Sequence, residues 1–480
     1  MGYQTVIGVE THVELRTSSK MFCPCPAVFG ATPNSNVCPV CLGLPGALPV
    51  PNERAIEMTL ALGLALDCRV AEHSVFHRKN YFYADLPKNY QISQYDLPFC
   101  IEGHLDLELD GGVRQVGIMR VHLEEDTGKI VHVGEGGRIT SADYALIDFN
   151  RSGIPLVEVV SDPDLRSPEE ARAYATELRA LLLAIGVSDA RLEEGSLRFD
   201  ANISLRPEEQ EELGTKVEVK NMNSTRSLQR ALAFEVDRQR RLLDSGRPVV
   251  QETRHWDEEA QVTRPGRTKE EASDYRYFSE PDLLPMEVSR QWRDHVAASL
   301  PVLPAQQRAG YRRLGVNARA IAALSATEGL GGLLERAVEV GADAGVVANW
   351  LTGEVVAYLR REDLGLVDLP LTGEDLAELA GMWGRGELSA TAAKEVLGAV
   401  MAGDGRPREV AERRDLLQVS DLAALGPQVE EVLAAHPREL ERLRAGEQRL
   451  VGFFVGEVMK ATRGKADPKL VSQLIREEVS

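Results

Sequence analysis

The stretch Thr5–Leu15 (TVIGVETHVEL) constrains this chain more than any other. Val9, Val13 and Leu15 alternate with Glu10, His12 and Glu14. A period of two marks a β-strand and sends the two sets to opposite faces. The apolar set fits a core. The other set lines up two carboxylates and an imidazole, which suits a divalent metal or proton handling, and equally the wet face of a half-buried sheet.

The same alternation recurs up to about residue 292, in Gly117–Leu123, Leu197–Leu205 and Lys216–Val219, among many Gly, Pro and Asn residues. Antiparallel strands with one polar face fit it. Helical spacing interrupts it at Glu53–Leu66, Pro168–Ile185 and Leu228–Leu243; Ser167-Pro168 with Glu169-Glu170 makes a good helix start. The pattern then changes. Ser299–Pro304 (SLPVLP) reads as a linker, Ala- and Leu-rich helices follow to about Val400, and a turn at Gly403–Pro407 precedes a last helical block. The expected fold is α+β: a large antiparallel-sheet domain (1–296), an all-α domain (297–404) and an all-α tail (405–480). A chain of 480 residues also suggests roughly three domains at about 150 residues each.

No apolar run approaches the ~20 residues of a membrane helix, and the start lacks a basic–apolar–small signal pattern, so the chain reads as cytosolic with no membrane partner. The net charge of −19 argues against a protein coated for nucleic acid, although local basic patches decide such binding in a long chain. There is no G-x-x-x-x-G-K-[ST] loop, no G-x-G-x-x-G after a strand and no G-x-S-x-G elbow. Residue 2 is Gly, which excludes an N-terminal cysteine nucleophile. Any ATP chemistry here needs a site built on acids and metal.

Four of the six cysteines fall in one short span: Cys23 and Cys25 as C-x-C, then Cys38 and Cys41 as C-x-x-C. Two such knuckles give a tetrahedral zinc ion a closed all-thiolate shell, hence a structural role; four unligated thiols are the alternative. A redox C-x-x-C lacks its βαβ setting.

Acids recur in other strands. His122 and Glu124 alternate with apolar residues before Glu125 and Asp126; Glu158 interrupts an apolar run; Asp200 and Asn202 alternate in RFDANISL. Burying such acids is costly unless they are paired or hold a metal. An acidic, Mg²⁺-loaded pocket for phosphate substrates fits them, as do several solvated strand faces. Phe76–Pro98 adds Arg78, Lys79 and Lys88 among Tyr81, Tyr83, Tyr90 and Tyr95. Cations, π-faces and amides together suit a nucleotide or an RNA end, or an ordinary polar loop. Lys216–Arg226 and Asp274–Leu284 share that style.

These segments resemble one family. TVIGVETHVEL, VCPVCLGLPGALPVPN, RKNYFYADLPKNYQISQYD, VHLEEDTGK, DFNRSGIPLVEVVSDPD, EGSLRFDANISLR, VEVKNMNS, QETRHWDE and DYRYFSEPDLLP occur in the order found in the GatB family, the B subunits of the GatCAB aspartyl/glutamyl-tRNA amidotransferases. The resemblance resumes at VVANWLTGEVVAY and in the YqeY-like tail, VGFFVGEVMKATRGKADPKLV. It implies a cradle domain, a helical domain and a tail that touches the body of tRNA. It implies ATP-dependent phosphorylation of the side-chain carboxylate of Glu-tRNA(Gln) or Asp-tRNA(Asn). Ammonia channelled from the amidase subunit GatA then gives the amide, with GatC as a small clamp in a heterotrimer. Carried over, Glu10, His12, Glu124 and Glu125 are Mg²⁺ ligands, with Glu158 and Asp200 weaker candidates. Lys79, Tyr81 and Lys88 belong to the segment for ATP or the tRNA end, and Cys23, Cys25, Cys38 and Cys41 hold zinc. Arg449, Lys460, Arg463, Lys465 and Lys469 make a basic tail patch for tRNA or a solvated helix face. Two other readings remain on the residues alone: a zinc-stabilised RNA-binding module without catalysis, and a metal-dependent phosphohydrolase or nuclease.

Overall fold

The computed structural model describes residues 2–109, 112–134, 142–266, 272–327, 329–418, 422–462 and 466–479. The chain forms two compact units, Met1–Pro304 and Ala305–Ser480.

The first unit is built on a nine-stranded sheet. Its elements in chain order are β1 (Tyr3–Glu14), α1 (Glu53–Ala65), β2 (Arg69–Val70), β3 (His73–Ser74), β4 (His77–Asn80), β5 (Tyr90–Ser93), β6 (Cys100–Leu109), β7 (Gly112–Glu125), β8 (Lys129–Val133), β9 (Tyr144–Asp148), β10 (Pro155–Ser161), α2 (Pro168–Ala184), β11 (Leu197–Pro207), β12 (Val217–Met222), α3 (Thr225–Asp244), β13 (Thr253–Asp257), β14 (Val262–Pro265), β15 (Phe278–Ser279), β16 (Met286–Glu287) and α4 (Arg290–Ala298). The order across the large sheet is β14-β13-β12-β11-β1-β10-β7-β6-β2. Every neighbouring pair is antiparallel except β12 with β13.

The opening strand is therefore central. Its alternation does what the sequence asks: Val9, Thr11 and Val13 are buried, while Glu10, His12 and Glu14 are half-buried on the other face. The apolar face packs against helices. α1 lies on β6 and β7, α2 on β6, and α3 on β11 and β12. These helices start where side chains cap them. Asn52 accepts from two backbone N–H groups of α1, and Ser167 accepts from Glu170 N–H ahead of Pro168 in α2. The third helix begins earlier than the apolar spacing predicts, because Ser224 accepts from Ser227 N–H and adds a turn before Leu228.

Among the described residues three small sheets accompany the large one: β15-β4-β5 and the pairs β16-β3 and β8-β9. The first brings residues 278–279 onto residues 77–78. Every named element of the second unit is a helix, from Pro304–Arg313, which starts at the unit boundary, to Pro468–Val479. A π-helical turn at Leu351–Val355 joins two of its helices. It holds two apolar clusters, one spanning Tyr311 to Ala411 and one spanning Leu425 to Ile475. The helix Pro407–Arg413 packs Val410 and Ala411 into the first, on the far side of the turn at Gly403–Pro407.

Candidate functional site

Antiparallel register turns separate acids into one array. His12 stands opposite Glu158 on β10 and Arg198 on β11; Glu158 stands opposite His122 on β7; Glu10 stands opposite Asp200. Paired residues share a face, so Glu10, His12, His122, Glu124, Glu158, Asp200 and Asn202 all project from the side away from the helices. The row runs across four strands.

The contacts are short. His12 Nε2 lies 3.7 Å from Asp200 and its Nδ1 lies 4.0 Å from Glu124. His122 Nε2 is 3.5 Å from Glu158 and 3.9 Å from Glu124. Asn202 donates to Glu10 at 2.9 Å, Lys220 to Asp200 at 2.7 Å, and Ser93 to Glu124 at 3.0 Å. Two sets of three carry ligand atoms within 4.8 Å of one another: Glu10–His12–Glu158, and His122–Glu124–Glu158. Glu158 belongs to both. The Nδ1 atom of His12, on the Glu124 side, is buried without a hydrogen-bond partner, which leaves it free to act as a ligand. The donor set therefore fits a metal.

Electrostatics keep Glu158 and Asp200 ionised. Burial opposes the Glu158 charge, yet His122, His12 and Lys79 bring its pKa down to about 2. Burial likewise opposes the Asp200 carboxylate, and His12 with Lys220 holds it well below the usual range. Burial pushes His122 down. Burial also works against charge on His12, but Asp200 and Glu158 outweigh it and raise the imidazole. Lys79 extends from β4 toward the same acids; burial disfavours its charge, while Glu124 and Glu158 hold it firmly protonated.

The polar-aromatic segments meet at Lys79. Its Nζ sits 5.1 Å from the Tyr275 ring, Tyr81 meets Tyr275 edge-on at 6.1 Å, and Tyr277 stacks on Tyr95 at 4.5 Å. Burial pushes the Tyr277 hydroxyl to about 12 and the Tyr81 hydroxyl higher still. Tyr81 therefore offers a neutral O–H donor. Arg78 is a structural group: it makes two bonds to buried Glu280, at 2.7 and 2.8 Å.

Two expected residues lie elsewhere. Glu125 follows Glu124 on β7, so its side chain leaves the opposite face. There it pairs with Lys88 and accepts from Ile92 N–H at 2.9 Å. Lys88 goes with it, away from the acids. Both line a cavity of about 190 Å³ together with Lys20, Cys41 and Gly43. The array thus joins Glu10, His12, Glu124, Glu158, Asp200 and Lys79, and leaves out Glu125 and Lys88.

That cavity borders the cysteines. Cys23, Cys25, Cys38 and Cys41 bring their sulfurs within 4.8 Å of one another, a cluster that could hold a metal ion. Cys38 N–H points at Cys41 Sγ at 3.1 Å, the bond a thiolate in a metal knuckle accepts. Buried Lys20, whose Nζ donates to the Phe149 carbonyl at 3.1 Å, lies beside Cys41.

Two participants escaped the sequence patterns. Arg198 and Arg151 form a polar chain with Asp126 and Glu14: Arg151 reaches Glu14 at 2.8 Å and Asp126 at 2.5 Å, and Arg198 reaches Asp126 at 3.3 Å. Burial raises Glu14 to about 8, helped by Asp126. Arg198 carried a signal, since it alternates with Asp200 and Asn202. Arg151 did not. In the tail, Lys460 pairs with Glu457 at 2.5 Å and Arg449 with Glu447 at 3.3 Å, while Lys469 N–H donates to Asp467. Arg463 and Lys465 lie outside the described residues.

Comparison with known proteins adds an independent line. A family model described as the GatB/GatE catalytic domain matches residues 5–294, and one described as the GatB domain matches residues 332–479. The chain is 50% identical over 481 residues to the B subunit of the aspartyl/glutamyl-tRNA(Asn/Gln) amidotransferase of Moorella thermoacetica, covering 100% of both chains. It is 48% identical to that of Rippkaea orientalis over 484 residues and 47% identical to that of Trichodesmium erythraeum over 483 residues, covering 99% of this chain and 98% of the relative in each case.

Proposed function

The chain belongs to the GatB family, the B subunits of the aspartyl/glutamyl-tRNA(Asn/Gln) amidotransferases, and from that premise we propose that its acid face activates the side-chain carboxylate of a misacylated tRNA. The substrate is Glu-tRNA(Gln), Asp-tRNA(Asn) or both. A carboxylate oxygen attacks the γ-phosphorus of ATP and ADP leaves, giving an acyl phosphate. Ammonia then attacks the acyl carbon and phosphate leaves, giving Gln-tRNA(Gln) or Asn-tRNA(Asn). The observation that carries this reading is the array of acids and imidazoles on one sheet face with the protonated Lys79 beside it.

Joining two anions demands positive charge, and Mg²⁺ bound there would supply it by neutralising phosphate oxygens. Glu10, His12, Glu124 and Glu158 are the residues to hold it; Asp200 orients His12, and Asn202 and Lys220 orient Glu10 and Asp200. Lys79 offers an ammonium to the transferred phosphoryl group, and Tyr81 offers a donor near it. Glu125 and Lys88 are assigned instead to the cavity wall beside the cysteines. The four cysteines suit zinc, as a structural ion. The ammonia would come from an amidase subunit, GatA, with GatC as the third component of a heterotrimer.

We keep the three-part division 1–296, 297–404 and 405–480 within this proposal; the two separate apolar clusters of the second unit support its last two parts, with the helix Pro407–Arg413 packing on the middle one. The basic tail residues are assigned to the tRNA body, although Lys460 and Arg449 each have an acidic neighbour. No helix among the described residues is long and apolar enough to cross a membrane, and we assign the chain to the cytoplasm. The test is release of inorganic phosphate from ATP that depends on Glu-tRNA(Gln), with Gln-tRNA formed when ammonium is added. Glu10→Ala should lose both while still binding tRNA. Phosphate release that ignores tRNA, or survives Glu10→Ala unchanged, overturns the reading.

A further inference from the structure

The ammonium of Lys20 is buried, 1% exposed, and among the described residues no carboxylate pairs with it. Its Nζ donates to the Phe149 carbonyl at 3.1 Å. Glu125, the acid in the same cavity wall, already holds Lys88 and accepts from Ile92 N–H. Lys20 and Lys88 against Glu125 leave that wall with an excess positive charge. Taking a cation out of water against a neutral carbonyl alone is costly, so this one calls for a resident anion.

The cysteines beside it can become that anion. Lys20 belongs to the first knuckle, where its backbone N–H donates to the Cys25 carbonyl at 2.9 Å. Its side chain runs toward the second. A Cβ built on Gly153 would stand 3.4 Å from Lys20 Cδ and 3.6 Å from Cys41 Cβ, so the lysine stem and the thiol flank one glycine. Lys20, Cys23 and Cys41 line one cavity. Four thiolates around one divalent ion carry a net double negative charge, four negatives against two positives. An empty cluster retains thiol protons and carries less charge.

We propose that Lys20 is the counter-cation of the loaded cysteine site. It binds no metal itself and acts through charge: it stabilises the loaded, dianionic cluster more than the empty one, and so raises the affinity for zinc. This rests on the zinc reading of the four cysteines and deepens it.

The test titrates zinc into the full chain in competition with a chromophoric chelator, for the parent, Lys20→Gln and Lys20→Arg. Gln keeps an N–H donor for Phe149 and loses the charge. Arg keeps both, and the adjoining cavity of about 190 Å³ gives its guanidinium room. Outer partners of a metal site are worth about 10–100-fold in affinity. Lys20→Gln should weaken zinc by roughly that factor, and Lys20→Arg should bind like the parent. The rise in melting temperature that zinc produces should shrink in Lys20→Gln alone. With cobalt(II) in place of zinc, the thiolate-to-metal charge-transfer band of Lys20→Gln should move to longer wavelength, because a sulfur without a cation beside it gives up an electron more easily. A lysine that only ties the knuckle to Phe149 would leave the affinity and the band of Lys20→Gln at parental values, which overturns the proposal while the zinc reading stands. If the parent binds no zinc, both fall together.

Discussion

The cysteine cluster and the acid face both gather metal-type ligands, and they are assembled in opposite ways. The four thiols come from the short span Cys23–Cys41 and depend on local turns, such as the one that aims Cys38 N–H at Cys41 Sγ. The acid face draws Glu10 and His12 from β1, His122 and Glu124 from β7, Glu158 from β10 and Asp200 from β11. It exists only when four strands pair in one register, and a one-residue slip of β10 would turn Glu158 into the core. In the proposed reading the first site depends on its metal to order an irregular segment. The second depends on an already ordered sheet to hold its charges. Loss of the first should therefore read out as stability, and loss of the second as chemistry.

Glu158→Ala should produce the largest effect, because Glu158 belongs to both acidic groups. Electrostatic groups at a phosphoryl-transfer centre are worth on the order of 10³ in rate when removed, so tRNA-dependent phosphate release should fall by about that factor or more. The depressed pKa of Glu158 means that its cationic partners stabilise the folded state, so the melting temperature should fall as well, but the rate loss should persist well below the transition. A variant that keeps its rate but melts early would reverse the comparison and make Glu158 a structural group.

Cys41→Ser should do the converse. Metal binding to such a cluster is coupled to folding of the segment around it. Bound zinc should drop below one per chain, and the melting temperature should fall by several degrees. Below the new transition the enzyme should retain most of its phosphate release, measured at saturating ATP. Full thermal stability with zinc absent would show that the knuckles need no staple.

The contrast also explains what could be read from the residues alone. The cysteine spacing carried its whole message, because all its partners are near in sequence. The alternation of β1 fixed which of its side chains share a face, and that held. Which strands lie beside β1 was illegible, since its neighbours β10 and β11 are more than a hundred positions away in the chain. The placement of Glu125 failed for a related reason. Glu124-Glu125 reads as one acidic patch in a string of letters, but in an extended chain consecutive side chains leave opposite faces. The EED motif thus serves two places: Glu124 meets the histidines, and Glu125 meets Lys88. Arg151 was invisible because it acts from a turn after β9 with no periodicity to mark it.

A smaller effect sharpens the comparison at its edge. Lys220 on β12 donates to Asp200 at 2.7 Å, and Asp200 in turn faces His12. In the proposed site Lys220 touches no substrate and acts only by orienting a carboxylate that orients a ligand. Outer partners of this kind are worth about 10–100-fold in metal affinity or activity. Lys220→Met should therefore raise the Mg²⁺ concentration needed for half-maximal phosphate release by roughly that factor, with the rate recovering at saturating metal and Lys220→Arg lying between. The measurement is phosphate release as a function of Mg²⁺, alongside the melting temperature. If Lys220 only ties β12 to β11, melting should fall and the Mg²⁺ requirement should stay where it was, which would confine the register-built site to the strands from β7 to β11.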